Sequence, residues 1–163
     1  EDAPRRADAI TLSPYLGVGA LRPAIDAAVA GGQGGYVLAR TSNPDGAGIQ
    51  LAATDRGTVA QLVVDEAREL NVLSENAIGL VVGATHAEAG CRLDDFNGSI
   101  LVPGIGAQGG TVEGLTSIFG AAIGRVLPTA SREVIGHGPL EVRNRAQILT
   151  AEVHKLPLSD PNY

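Results

Sequence analysis

The sequence predicts an α/β fold in which parallel strands alternate with helices, and two observations lead to this prediction. Short runs rich in Val, Ile and Leu alternate with longer segments of helical periodicity, as in repeated strand–helix units. The short runs are almost continuously apolar, which is typical of strands buried on both faces of a parallel sheet. Five such runs predict strands at 9–12, 35–39, 78–82, 99–102 and 122–127.

Helices are predicted between and after these strands, at 21–30, 58–70, 112–119 and 140–153. The second has the clearest amphipathic spacing, and its apolar stripe consists of Val59, Leu62, Val63, Ala67 and Leu70. The last follows the final strand and is expected to pack outside the sheet. No linker interrupts the pattern, so we expect one domain over 1–155 and a proline-containing tail at 156–163.

The composition of the chain excludes several classes of protein function. The 163 residues carry a formal net charge of −6 and are 44% hydrophobic, which excludes extensive disorder. Every apolar run is interrupted before the roughly 20 residues that a membrane helix needs, so no membrane partner is expected. Cys91 is the only cysteine, which excludes an intrachain disulfide and a thiolate metal cage and fits a cytoplasmic protein. Scattered basic residues and net acidity argue against nucleic-acid binding.

Each predicted strand is followed by a loop rich in Gly, Ser, Pro or Asn. In parallel α/β folds the carboxyl ends of the strands form one edge, and ligands bind there. We therefore expect these loops to lie close together and to form the binding site. They are the segments 13–19, 40–46, 83–86, 103–110 and 128–133.

Of the five loops, PGIGAQGG at 103–110 is the strongest candidate for a ligand contact. Its four glycines allow close backbone approach and could point consecutive N–H groups at an anion such as phosphate. The alternative is a turn whose glycines only permit positive φ. Arg132 favours the ligand, because it follows the next strand, where a helix N-terminus and a guanidinium could hold an anion together. Taken alone, an arginine such as Arg132 is more often part of a surface ion pair, here with Glu133 or Glu141.

Other chemistry is sparse, and no metal site or cofactor is expected. The histidines share no metal-ligand spacing and receive no catalytic role; they are His86, His137 and His154. Asp94 and Asp95 sit in a turn and are interpreted as solvated. Ser42 and Ser131 lack the G-x-S-x-G context of a serine nucleophile.

Five motifs in register resemble the orotidine 5'-phosphate decarboxylase family, of the bacterial type found in actinobacteria. They are SPYLG at 13–17, RTSNP at 40–44, VVGAT at 81–85, VPGIGAQGG at 102–110 and PTASRE at 128–133. The resemblance extends from about residue 8 to about residue 145. It implies a TIM (β/α)8 barrel that converts orotidine 5'-monophosphate to UMP in pyrimidine biosynthesis. It further implies that the complete enzyme needs no metal or organic cofactor and forms a homodimer.

The resemblance also implies roles for individual residues. Ser42 would hydrogen-bond the amide edge of the pyrimidine, and Gln108 would span a base carbonyl and the phosphate. Arg132 would clamp the phosphate, and Pro103 would form an apolar wall beside the base. Backbone N–H groups would assist at Gly109, Gly110 and Ser131. Ser131 replaces a glycine of the family pattern, which leaves that backbone donor intact.

The family's catalytic network is absent from this sequence. Members carry a D-x-K-x-x-D motif on an early strand and a lysine on the strand before it, whereas the one lysine here, Lys155, matches neither. The five predicted strands would correspond to strands four to eight of the barrel, and 163 residues fall short of the roughly 250 of a complete one. No residue of this chain is therefore assigned a catalytic role, and activity of the chain alone is not expected. The alternative is a non-enzymatic half-barrel that binds a nucleotide or phosphate.

Overall fold

The computed structural model describes residues 7–74 and 76–157, which form seven strands and six α-helices. The strands are β1 (Ala9–Leu12), β2 (Gly34–Arg40), β3 (Ala53–Thr54), β4 (Gly57–Thr58), β5 (Ile78–Val82), β6 (Ile100–Val102) and β7 (Val126–Pro128). The α-helices are α1 (Arg22–Ala30), α2 (Ala47–Gln50), α3 (Val59–Leu73), α4 (Val112–Phe119), α5 (Arg132–Ile135) and α6 (Val142–Val153). Short 3-10 helices occupy Val18–Leu21, Pro44–Gly46 and Gly120–Arg125.

The predicted α/β class is confirmed. The main sheet has five strands in the order β1, β2, β5, β6, β7, and every neighbouring pair is parallel. Spatial order follows chain order, as in the wall of a (β/α)8 barrel, whereas a doubly wound sheet reverses its direction at a switch point. All five carboxyl ends therefore point to one edge, and the loops predicted to meet there start from it.

The core is centred on β5, whose five residues are all buried. The largest fully buried side chains come from this strand and from the elements on either side of it: Phe96, Ile25, Ile78, Leu80, Ile100 and Leu115. Burial on both faces explains why the strand sequences are continuously apolar rather than alternating.

Helix α3 begins after Thr58, whose hydroxyl accepts a hydrogen bond from Gln61 N–H at 3.1 Å and so caps the first turn. The helix runs three residues beyond the predicted end at 70. Its buried face includes Ala60 and Val64, whereas the predicted stripe residue Leu62 is only partly buried. The buried face is therefore rotated from the predicted one, although both include Val63 and Ala67.

The predicted strand at 122–127 is wrong over its first four residues. Residues Gly120–Arg125 form a 3-10 helix, and only Val126–Pro128 form the strand. Ala122 and Ile123 are buried as part of that helix. A short apolar run fits a buried helical turn as well as a strand, so periodicity alone could not separate the two.

Some local elements were not predicted from the sequence. The antiparallel hairpin of β3 and β4 and the one-turn helix α2 both lie in the connection after β2. The predicted tail at 156–163 falls mostly outside the described residues, since these end at 157. Within the described part of the chain, no helix combines the length and the apolar character required to cross a bilayer.

Candidate functional site

Two of the predicted binding residues are in direct contact at the carboxyl edge of the sheet. Ser42 follows β2 and Gln108 lies in the loop after β6, and the Ser42 hydroxyl donates to Gln108 Oε1 at 2.9 Å. Gly104 lies beneath this contact: a Cβ atom there would sit 3.5 Å from Ser42 Cβ and 3.6 Å from Gln108 Oε1. The two loops therefore pack together although 66 residues separate the two side chains.

The glycine-rich loop 103–110 closes on itself through three backbone hydrogen bonds. Gly106 N–H donates to Gly110 O at 2.8 Å, Gly109 N–H to Gly106 O at 2.7 Å, and Gly110 N–H to Gly104 O at 3.0 Å. Positive φ values of 105° at Gly104, 74° at Gly106 and 96° at Gly109 make this compact path possible. The loop is therefore a closed turn rather than an open row of donors.

This closure involves the two glycine amides that were expected to assist the phosphate. Because the N–H groups of Gly109 and Gly110 are used inside the loop, they do not face a ligand in this structure. The N–H groups of Ala107 and Gln108 have no hydrogen-bond acceptor among the described residues, and both residues are exposed. The amides available to an anion are thus those at the tip of the loop.

Arg132 is the first residue of α5 and is exposed. Its guanidinium makes no hydrogen bond or ion pair with any residue in the described ranges. The alternative partner Glu133 is occupied, since its Oε1 lies 2.7 Å from Arg145 Nη1. The predicted ion pair with Glu133 or Glu141 is therefore not formed. Because α5 is a single turn, the guanidinium rather than a helix dipole supplies the positive charge here.

The segment after β7 that contains Arg132 packs against the glycine-rich loop. A Cβ atom at Gly106 would sit 2.5 Å from Glu133 Cγ, so the backbone of one loop touches the residue next to Arg132. Ser131 directly precedes α5 and makes no side-chain capping hydrogen bond, and its backbone N–H has no acceptor in the described part of the chain. Pro103 directly follows β6 and is half-buried, and its carbonyl accepts from Ala84 N–H at 2.9 Å. The structure thus brings the loops of all the predicted site residues to one edge of the sheet.

A buried polar cluster that the sequence did not reveal lies behind Ser42. Arg40, only 5% exposed, donates from Nη1 to Gln50 Oε1 at 3.0 Å, and its Nη2 lies 3.4 Å from His86 Nδ1. His86 Nε2 lies 2.8 Å from Thr41 O. Since arginine only donates and a carbonyl only accepts, these contacts place the histidine proton on Nε2. His86 thus links Arg40 to the backbone of Thr41.

The other groups considered from the sequence are Cys91 and the neighbouring carboxylates Asp94 and Asp95. Burial raises the pKa of the Cys91 thiol to about 12, with Arg40 lowering it and Asp65 raising it, so the thiol is protonated at neutral pH and is not a nucleophile. Asp94 and Asp95 are exposed, as predicted, and the carbonyl of Asp94 accepts from Arg125. Among the described residues, no three His, Cys, Asp or Glu side chains are grouped so that they could hold a metal ion.

Comparison with known proteins gives one consistent family. Residues 1–146 match the family model described as "Orotidine 5'-phosphate decarboxylase / HUMPS family". Orotidine 5'-phosphate decarboxylases from Salinispora arenicola and Salinispora tropica are 52% and 51% identical to the chain over 140 residues. These alignments cover 84% of this chain and 50% of each relative. The chain therefore spans half the length of the curated relatives it matches.

Solved structures agree with the sequence comparison. A Streptomyces avermitilis protein assigned as an orotidine 5'-phosphate decarboxylase is 41% identical, with a TM-score of 0.80 over 91% of this chain and 54% of that one. The UMP synthase of Leishmania donovani is 31% identical, with a TM-score of 0.76 over 91% of this chain and 33% of that one. The predicted fold class is thereby confirmed as a portion of a TIM barrel.

Proposed function

Because the chain belongs to the orotidine 5'-phosphate decarboxylase / HUMPS family, we propose that it supplies the nucleotide-binding loops of an enzyme that converts orotidine 5'-monophosphate to UMP. The reaction belongs to pyrimidine biosynthesis and classifies the complete enzyme as a carbon–carbon lyase. In this proposal the complete enzyme is a homodimer, as the family resemblance implies, and it is cytoplasmic, which fits the single cysteine of this sequence.

The observation that carries the proposal is the unpaired guanidinium of Arg132. The nearby carboxylate of Glu133 is not available to Arg132, because it pairs with Arg145. Arg132 is left available to a phosphate, which it can hold through two parallel N–H···O bonds. The amides of Ala107 and Gln108 are further donors from the neighbouring loop. We call the Arg132 guanidinium and these two amides the phosphate grip. Together they can bind a dianion at the carboxyl edge of the sheet.

The pyrimidine ring is assigned to Ser42 and Gln108. A uracil or orotate ring presents an amide edge with both a donor and an acceptor, and a hydroxyl paired with a side-chain amide offers both in return. The 2.9 Å hydrogen bond between Ser42 and Gln108 holds the two groups side by side for this purpose. Pro103 contributes apolar surface beside the ring. Gly109 and Gly110 contribute by shaping the loop, since their own N–H groups are used within it.

The chemical step needs groups that this chain does not contain. Loss of CO2 leaves an electron pair on a ring carbon, which a nearby ammonium group must stabilise and then protonate. Lys155, the one lysine of the sequence, is exposed and follows α6. We assign the stabilising groups to the half of the enzyme that the chain does not match, while the phosphate grip supplies binding energy for the reaction.

Complementation tests the decarboxylation. The half of the Salinispora arenicola enzyme that this chain does not match would be expressed separately and mixed with the 163-residue chain. We expect UMP to form from orotidine 5'-monophosphate in the mixture and not with either half alone, as followed by the change in ultraviolet absorbance. Turnover by the chain alone would show that its own residues perform the chemistry. A mixture of two folded but inactive halves would favour the non-enzymatic binding module.

Removal of the Arg132 side chain tests the phosphate grip. We expect Arg132→Ala to weaken UMP binding by about 10- to 100-fold in isothermal titration calorimetry, because a charge-assisted contact to phosphate is lost. Arg143→Ala is the matched control, since Arg143 is exposed on α6 and makes no ion pair in the described part of the chain. Equal affinity in the two variants would remove Arg132 from the site.

A further inference from the structure

The side chain of Gln50 closes the loop that carries Ser42. Gln50 is the last residue of α2, nine residues after Thr41. Its Oε1 accepts from Thr41 N–H at 3.1 Å and from Arg40 Nη1 at 3.0 Å, while its Nε2 donates to Thr41 Oγ1 at 3.0 Å. Three hydrogen bonds therefore tie the end of the loop back to its beginning.

These contacts hold the backbone around Ser42 in place. Thr41 is also bound on its other side, where its carbonyl accepts from His86 Nε2 at 2.8 Å. The carbonyl of Ser42 accepts from Thr85 Oγ1 at 3.2 Å. The residue before Ser42 and the peptide group after it are thus both held, and the direction of the Ser42 hydroxyl toward Gln108 follows from this backbone.

The orientation of the Gln50 amide is determined by its surroundings. Arg40 and the Thr41 N–H are donors only, so both require the carbonyl oxygen of the amide on their side. Gly46 leaves room for the amide, since a Cβ atom there would lie 2.9 Å from Gln50 Nε2. Arg40 is a buried cation with no carboxylate within ion-pair distance among the described residues, so its contact with Gln50 also compensates for its burial.

From this arrangement we infer that Gln50 is a positioning residue for pyrimidine recognition, acting through Thr41 on Ser42. The inference rests on the proposed function, because it assigns the base to Ser42. It differs from a general role in folding in one measurable respect. A loosened Ser42 loop should weaken contacts with the base and leave the phosphate grip at Arg132 unchanged, because the grip belongs to the loops after β6 and β7.

The test compares two ligands that share a phosphate. UMP contains the base, whereas ribose 5-phosphate does not, and both are titrated into the 163-residue chain. We expect Gln50→Leu to weaken UMP binding by about tenfold, from the loss of hydrogen bonds that hold Ser42, and to change ribose 5-phosphate binding less than about twofold. Gln50→Glu should restore UMP affinity, because its carboxylate accepts from Arg40 and from Thr41. Gln147→Leu, on the exposed face of α6, is the matched control.

The outcomes separate a positioning role from a structural one. An equal loss for both ligands, or no loss for either, would overturn the inference. If Gln50→Leu does not fold, Thr41→Val takes its place in the test, since it removes only the acceptor of the Gln50 Nε2 hydrogen bond. We then expect the same selective loss of UMP affinity, by about threefold.

A second measurement needs no nucleotide. Hydrogen exchange at the Thr41 amide, followed by NMR, should be faster in Gln50→Leu than in the unaltered chain, because Gln50 Oε1 is its acceptor. Unchanged exchange in this variant would overturn the inference. Failure of the unaltered chain to bind UMP would instead count against the proposed function.

Discussion

Arg40 and Arg132 lie at the same edge of the sheet in opposite environments. Arg40 is 5% exposed and its N–H groups contact the neutral acceptors Gln50 and His86, so it is held in place as part of the protein interior. Arg132 is exposed and has no partner in the described part of the chain. Burying a cation costs free energy that its hydrogen bonds must offset, whereas an exposed and unpaired cation keeps its full capacity to bind an anion. Of these two arginines, Arg132 is therefore the one whose guanidinium remains available to an anion.

Close packing between the loops also depends on single glycine residues. A Cβ atom at Gly83 would lie 2.6 Å from Ser42 N, and one at Gly110 would lie 2.7 Å from Gly104 O. Neither distance is compatible with a side chain, since non-bonded atoms do not approach so closely. The absence of a side chain at these two positions lets the loops after β2, β5 and β6 meet at one point.

At the scale of elements, Asn71 connects a helix to two neighbouring segments of the sheet. It is completely buried near the end of α3. Its Oδ1 accepts from Ile78 N–H, the first residue of β5, at 2.8 Å, and its Nδ2 donates to Asn97 Oδ1 before β6 at 3.2 Å. One side chain thus joins helix α3 to strand β5 and to the loop before β6.

Replacement of Asn71 is expected to destabilise the fold. Asn71→Ala leaves the buried Ile78 N–H without its acceptor, so we expect the free energy of unfolding to fall by about 2 kcal/mol. Urea denaturation followed by circular dichroism measures this change. Asn144→Ala, at an exposed position on α6, should change it by less than about 0.5 kcal/mol. Similar stability of the two variants would mean that water replaces the Asn71 contact.

The elements of the sheet were largely predictable, and the exceptions have physical causes. Four of the five strands agree with their predicted positions to within one residue at each end, because continuous apolar runs between polar loops have few other interpretations. The 3-10 helix Gly120–Arg125 was not predicted, since its apolar residues fit either structure. The hairpin of β3 and β4 has only two residues in each strand, too few for a periodic pattern.

The site was predictable only in part. Ser42 and Gln108 were placed at one edge by the rule that loops after parallel strands share it, and their hydrogen bond agrees with that placement. The use of the Gly109 and Gly110 amides inside the loop was missed, because sequence shows which glycines allow a turn but not which hydrogen bonds close it. Gln50 was missed because an irregular loop contains no repeating pattern that would connect it with Thr41.

At the scale of the whole molecule, no described strand pairs with the outer side of β1 or of β7, so the five-stranded sheet has two open edges among the described residues. The edge strand β1 is exposed at three of its four residues, and Ile10 is 60% exposed. The other edge strand, β7, has Leu127 at 50% exposure. Unpaired backbone groups beside exposed apolar side chains invite pairing with another chain. In a closed barrel such edges would be paired, so the exposed edges agree with a portion of a barrel.

The open edges predict that the 163-residue chain self-associates when studied alone. Its weight-average mass in size-exclusion chromatography with light scattering should rise with concentration. Ile10→Lys should reduce this rise, because a charge on an edge strand opposes the pairing of strands. Ile148→Lys is the matched control, since Ile148 is 53% exposed but lies on helix α6, where no strand can pair. An equal effect of both substitutions would indicate that general apolar exposure, rather than the sheet edge, drives the association. A selective effect of Ile10→Lys would locate the surface that the remainder of a barrel must cover.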